Sequence, residues 1–304
     1  MFDILVAGEI NPDLILSGNV IPEFGQVEKL VDIASLTIGS SSAIFACGAA
    51  RLGLNVAFIG VCGNDAFGHF MLEAMSKRGV DVSNVMVRAE GQTGLSVILN
   101  QGSDRAILTH SGLIADLHDS DISDALLRQA RHLHVASYFL QTNLQPDLPN
   151  LFRHARSLGL TTSLDTNYDP SEQWFGFDEL LSVTNVFLPN ERESLSLTGE
   201  SSVDLGADRL SSKVETLGIK LGAAGALGGR NGQKARVPSI PVNVVDTVGA
   251  GDSFDAGFMY GYLNSWSLEK TLRLACVCGA LSTQCAGGTC GQPTLDEAMK
   301  HVSG

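Results

Sequence analysis

The sequence is short of charge and of aromatic rings. Only 17% of its 304 residues are Asp, Glu, Lys or Arg, and only 6% are Phe, Trp or Tyr. Apolar residues make up 44%, enough to bury the core of one large α/β domain or two modest ones. The charge that is present leans one way, with 33 acidic against 20 basic residues and a formal net charge of −13. Such a surface repels nucleic acid and anionic lipid, so neither is expected as a partner. A small anionic substrate would need backbone N–H groups or a few local basic side chains. No apolar run approaches the roughly 20 residues of a membrane-spanning helix, so no membrane contact is expected. The opening MFDILVAGEI has no basic stretch and no small-residue cleavage site, so the expected location is cytoplasmic.

Disulfide and zinc frameworks are also expected to be absent. Six cysteines occur, at 47, 62, 276, 278, 285 and 290, with no CxxC spacing. Their apolar or Gly-rich surroundings suit reduced packing residues. Cys276 and Cys278, two apart on an expected helix, point to different faces and do not make half a metal site.

What is present is an alternation of short apolar runs with helical patterns. FDILVAG, VAFIGV, HLHVA, TTSLD, NVFLP and TLGIKLG read as strands; SSAIFACGAARLG and FGHFMLEAMSKRG read as helices ending at Gly53 and Gly79. Further helical segments are expected near 121–131, 146–158 and 190–198. This rhythm predicts a parallel sheet covered on both faces. Two stretches break it. Residues 11–33 carry Pro12, Gly18, Pro22 and Gly25, and residues 91–110 read as a hairpin with its turn at Gln101-Gly102-Ser103-Asp104. Both are expected to form a small β-sheet flap outside the main sheet, within a single catalytic domain spanning 1–304. The alternative is a pair of ordinary surface hairpins.

The segment richest in chemistry is Asp246-Thr247-Val248-Gly249-Ala250-Gly251-Asp252-Ser253-Phe254, followed by the helical DAGFMYGYL. Glycines let several N–H groups converge on one point, and a helix start adds partial positive charge there. Together they make an anion hole suited to a phosphate. Asp252 at its mouth is either an N-cap or a general base for an incoming hydroxyl. No Gly-Lys-Ser/Thr phosphate loop and no protein-kinase Lys and HRD elements occur, which excludes those two phosphotransferase classes.

DTVGAGDSF resembles the C-terminal signature of the PfkB carbohydrate kinase family, the ribokinase-like sugar kinases. Other segments follow in the family's order: Gly8 to Asp13, Gly39 to Ala43 with Ala50 to Gly53, Gly63 to Gly68, Asn190-Glu191-Arg192-Glu193, and Lys220 to Gly225. The resemblance implies a ribokinase-like three-layer α/β/α sandwich with a small β-sheet lid. It implies transfer of the γ-phosphoryl of MgATP to a hydroxyl of a small sugar. Asp252 would be the base, and the N–H groups of Gly249, Ala250 and Gly251 the anion hole. Asn11, Asp13, Gly39 and Ser40 would hold the sugar, with Arg105 on the flap as a candidate for an anionic substituent or a merely solvated charge. Asn167, Asn190, Lys220, Gly222 and Gly225 would face the nucleotide, and Asn190 with Glu193 would support Mg2+. Those two residues also fit a capping pair. K+ at the Gly-rich loop 285–291 and a homodimer through the lid are further expectations. Two departures stand out: Ile44 replaces a sugar-binding Asn, and Asp169 stands where the family often has Arg. The acceptor is therefore read as fructose- or ribose-like, with a 2-keto-3-deoxygluconate-type sugar acid or a nucleoside as alternatives. A catalytically silent sugar- or nucleotide-binding regulator is a third reading.

Overall fold

The strand Ile4–Ala7 is four apolar residues, all fully buried, and a strand buried on both faces belongs inside a covered parallel sheet. It pairs in parallel with Val56–Ile59 on one side and His132–Val135 on the other. In this computed structural model, which describes residues 1–101, 104–169, 171–174 and 176–302, it lies within a nine-stranded sheet. From one edge the order is Gln233–Val237, Ala226–Arg230, Thr216–Lys220, Val186–Phe187, Thr161–Leu164, His132–Val135, Ile4–Ala7, Val56–Ile59 and Val80–Asp81. The first two pairings are antiparallel, so Ala226–Arg230 runs against the other strands, and the remaining pairings are parallel.

Successive residues of these strands feed two separate cores, as the two-residue side-chain period requires. Ile4, Val6, Val56 and Phe58 pack with Phe45 of helix Ser41–Arg51 and Phe258 of helix Ala250–Leu263. Leu5, Ala7, Ala57 and Ile59 pack on the opposite face with Phe152 of helix Leu148–Ser157 and Leu210 of helix Val203–Ser211. The result is helices on both faces of one sheet, the expected three layers.

A second sheet stands apart from the first, ordered Ile33–Ile38, Pro12–Ser17, Leu95–Gln101 and Asp104–His110. Its strands come from the two stretches that broke the rhythm, but the partner of Pro12–Ser17 continues to Ile38, beyond residue 33. Gly102 and Ser103 of the expected turn lie outside the described residues. The expected helix near 121–131 is reduced to one turn, Asp124–Leu127. Beyond it, Gln129 and Arg131 bond to the backbone of Phe2 instead of extending the helix. The cysteine reading needs correction too. Four thiols are buried and free, but Cys285 and Cys290 form a disulfide. The Gly-rich loop between them folds back far enough to bring their Cα atoms to 5.6 Å.

Candidate active site

The parallel strands end at one side of the sheet, where ligands gather in this class of fold. The sheet's order reverses direction between Ile4–Ala7 and His132–Val135. Just past their ends Glu9 accepts a hydrogen bond from Ser137 Oγ at 2.8 Å, across that crevice. Asp165 follows the strand Thr161–Leu164, Asn190 follows Val186–Phe187, and Lys220 closes Thr216–Lys220.

Helix Ala250–Leu263 starts at Gly249, whose φ of 72° is the left-handed conformation open to glycine. A Cβ there would sit 2.6 Å from Gly288 Cα, so the close approach of the two loops also requires glycine. Asp246 ties the same loops together, accepting from Val248 N at 3.0 Å and Gly287 N at 2.9 Å. Asp252 is not the cap. It lies in the helix's first turn and is buried. Burial pushes that carboxyl well above its ordinary range, and the charges of Asp165 and Glu9 push the same way.

Three carboxylates, of Asp165, Asp252 and Asp255, approach within 4.8 Å of one another. The Lys220 ammonium answers them, at 2.9 Å from Asp165 Oδ2 and 3.0 Å from Asp255 Oδ2. Burial alone would raise Asp165, but the Lys220 ammonium and hydrogen bonds from Asp255 and the Asn167 N–H together outweigh it and hold that carboxyl below its ordinary range. Burial pushes Asp255 well above its ordinary range, opposed by the same ammonium. Lys220 therefore fills the acidic cluster with a protein cation.

Ala250, Gly251, Lys220, Gly222 and Gly225 line a cavity of about 580 Å³ whose other walls include Ile240, Val242, Val244 and Phe254. Apolar walls with a helix N-terminus at one end suit a nucleotide, base against hydrocarbon and phosphates at the amides. Asn190 and Glu193 form a capping box: Asn190 Oδ1 accepts from Glu193 N at 2.9 Å, and Glu193 Oε2 accepts from Asn190 N at 2.8 Å. Burial, then repulsion from Asp165, pushes Glu193 up to about 7. A buried carboxylate so short of positive charge fits a nearby hydrated Mg2+.

On the acceptor side Asn11 and Asp13 are both buried at the root of the second sheet. Asn11 Nδ2 lies 3.4 Å from Ser96 Oγ. Gly39 backs onto Asp13, where a Cβ would come within 2.2 Å of Oδ1. Burial pushes Asp13 up to about 7, opposed by the Arg105 guanidinium. Arg105 is exposed on the strand Asp104–His110 of the second sheet. Ser40 caps helix Ser41–Arg51 and donates to the Glu9 backbone carbonyl at 2.7 Å. Ile44 is buried against Gly288 of the 285–291 loop. Asp169 accepts from Ser171, Gln173 and Trp174 and so closes its own loop where an arginine was expected. Asn167 does not line the large cavity; its amide joins Ser41 and Ser137. Sequence reasoning missed Glu9, Ser41, Ser137 and Asp255. Of these only Asp255 leaves a signal, an acid three residues from Asp252 on one helix.

The profile of the pfkB family carbohydrate kinases matches residues 1–295. The chain belongs to the PfkB carbohydrate kinase family. It is thus an ATP-dependent phosphotransferase with an alcohol group as acceptor. Among relatives, a ribokinase of Haemophilus influenzae is 28% identical over 306 residues, covering 98% of this chain and 97% of that protein. An uncharacterized sugar kinase of Archaeoglobus fulgidus is 30% identical, over 75% of this chain and 90% of its own. The crystal structure of a putative ribokinase II from E. coli in complex with ATP and Mg2+ superposes with a TM-score of 0.86 at 22% identity, covering 100% of this chain and 99% of that one. Among the described residues of this PfkB kinase no helix is long and apolar enough to cross a membrane.

Proposed function

We propose that this PfkB kinase transfers the γ-phosphoryl of MgATP to a hydroxyl of a small neutral sugar, ribose- or fructose-like, with Asp252 as general base. The observation that carries the reading is the place of Asp252: buried in the first turn of a helix whose leading residues wall the 580 Å³ cavity. ATP occupies that cavity, between Gly222, Gly225 and the helix start, with its terminal phosphate at the amides of Gly249, Ala250 and Gly251. The acceptor lies between Asn11, Asp13, Gly39 and Ser40 below the second sheet, which excludes water as a lid. As the acceptor oxygen attacks the γ-phosphorus, its proton passes to Asp252 and the bond to the bridging oxygen breaks, leaving ADP. The amides stabilise charge on the transferring group. Asn190 and Glu193 would hold hydrated Mg2+, which when bound neutralises phosphate charge. The loop 285–291 is the candidate for K+, through its carbonyl oxygens.

Vicinal hydroxyls suit an acceptor and a donor side by side at Asp13 and Asn11. Arg105, an exposed cation on the lid whose charge is felt at Asp13, favours a second reading, a sugar acid whose carboxylate meets the guanidinium. An ADP-release assay across aldoses, ketoses, 2-keto-3-deoxy sugar acids and nucleosides separates them. Turnover with a neutral sugar is expected, and turnover only with sugar acids or only with nucleosides overturns the first reading. The exposed apolar residues Ile33, Leu36, Ile107 and Leu108 of the lid sheet support pairing of two copies through the lid.

A further inference from the structure

The loop Cys285-Ala286-Gly287-Gly288-Thr289-Cys290 has few side chains to anchor it. Glycine leaves a chain freer than any other residue, yet Gly287, Gly288 and Thr289 are buried. The Cys285–Cys290 bond closes the loop across its base, with the Cα atoms 5.6 Å apart. Inside that closure Gly287 N donates to Asp246 Oδ2 at 2.9 Å, and Arg78 Nη1 donates to the Thr289 carbonyl at 3.0 Å. Asp246 also accepts from Val248 N at 3.0 Å, one residue before the candidate anion-hole amides. The Gly288 backbone lies directly against Gly249, where a Cβ would come within 2.6 Å of Gly288 Cα. Gly287 backs onto Thr37 of the lid strand Ile33–Ile38. The cross-link thus braces a loop that is in contact with both the anion hole and the lid.

The bond is also open to solvent. Cys290 is exposed and Cys285 half-buried, whereas Cys47, Cys62, Cys276 and Cys278 are buried free thiols. Burial raises all four of those thiols, which keeps them protonated and slow to react. We propose that Cys285 and Cys290 are a reversible thiol–disulfide exchange site for dithiol reductants, and that opening the bond frees the loop from Gly249 and slows phosphoryl transfer. The second half rests on the reading of the 249–251 amides as the anion hole. A thiolate of the reductant attacks Cys290 Sγ, on the exposed residue. The disulfide breaks, and its electron pair leaves on Cys285 Sγ, which takes a proton. The reductant's second thiolate then displaces Cys290 Sγ from the mixed disulfide, and that sulfur takes the second proton. The protein gains two electrons and two protons, and the dithiol ends as a cyclic disulfide. A disulfide oxidant runs the exchange backwards.

The test cycles the full chain through reduction by dithiothreitol and reoxidation by glutathione disulfide, with each reagent removed before assay. Thiol titration in denaturant reads the bond, and kcat with MgATP and the best acceptor reads the site. Four free cysteines and one bonded pair predict four thiols in the oxidised protein and six after reduction. Losing one charge-stabilising donor wholly lowers kcat by about 10²- to 10³-fold, so loosening one should lower it by about tenfold. That fall should reverse on reoxidation. The double variant Cys285→Ser, Cys290→Ser should stay at the reduced level in both conditions. A pair that opens and closes while kcat holds steady overturns the proposal. So does a protein whose six thiols no disulfide oxidant lowers to four, and so does a redox response that survives in the double variant. Should that variant not fold, the unsubstituted chain decides alone, since its thiol count and its kcat must move together. Gly249→Ala keeps the two failures apart, because unchanged turnover there sinks the anion-hole reading itself, whatever the disulfide does.

Discussion

Asp252 and Asp255 sit three residues apart at the start of one helix, both buried, and their partners divide them into different jobs. Asp255 shares Lys220 with Asp165 at about salt-bridge distance, a closed arrangement that holds helix to sheet. Asp252 makes no salt bridge with Lys220, and a buried carboxyl so placed is poised to take a proton. Asp252→Asn keeps the size and loses the basicity. Turnover should fall by about 10²- to 10⁴-fold, while ATP affinity, measured by direct titration, stays within a few-fold. Near-full turnover in the Asn variant would end the assignment. Asp252 was legible in the sequence because small residues before a helix announce an anion hole and an acid there has few other reasons to occur. Glu9, Ser41 and Ser137 were not legible. Their partners are up to 128 residues away, and a serine carries no periodic signal that marks it as one link of a network.

Elements that are apolar on both faces were readable in the same way, since a buried parallel strand needs little beyond a short apolar run bounded by turns. The lid strand Ile33–Ile38 was missed because most of it is exposed, so its residues show no in-and-out alternation. The disulfide was missed because a spacing of five in a glycine-rich loop says nothing about how the loop folds back. It belongs to a loop that meets three other segments: Gly288 lies against Gly249 and Ile44, and Gly287 against Thr37 of the lid. The element with two duties is helix Glu191–Thr198. Its capping box satisfies backbone donors at the helix start, and its buried Glu193 is the candidate metal support. The duties separate with Glu193→Gln, because Gln can reach back to the Asn190 N–H as Glu does. The thermal midpoint should move by less than about 3 °C, the cost of a cap being about 1 kcal/mol when wholly lost. The Mg2+ concentration for half-maximal rate should rise about tenfold. A fall in stability with an unchanged Mg2+ requirement would leave capping as the helix's whole duty at this end.

At the scale of the molecule, the acidic composition and the site's carboxylates combine into a pH dependence of stability. Asp13 and Glu193 are both pushed up to about 7 in the folded chain, chiefly by burial, and Asp252 and Asp255 are shifted the same way. A carboxyl with a raised folded value binds more protons folded than unfolded between its ordinary range and that value. Stability from such groups is present at low pH and lost as pH rises toward 7. Asp165 runs oppositely: its lowered value contributes stability above about pH 4 that is lost only in stronger acid. The unliganded protein should therefore be more stable near pH 5.5 than at pH 8, before any ligand brings compensating charge or hydrogen bonds. Asp13→Asn isolates one contribution. A rise from 3.8 to about 7 corresponds to at most about 4 kcal/mol, and relaxation around a partly screened site takes a share of it. Scanning calorimetry of the unliganded Asn variant should show a midpoint about 5 °C above the parent at pH 8 and little difference at pH 5. The same variant should lose acceptor binding, so stability and function pull against each other at this position. A midpoint that falls at pH 8 would mean that the ionised Asp13 is held by Arg105 as a stabilising pair, and the acceptor site would then be electrostatically satisfied before any sugar arrives.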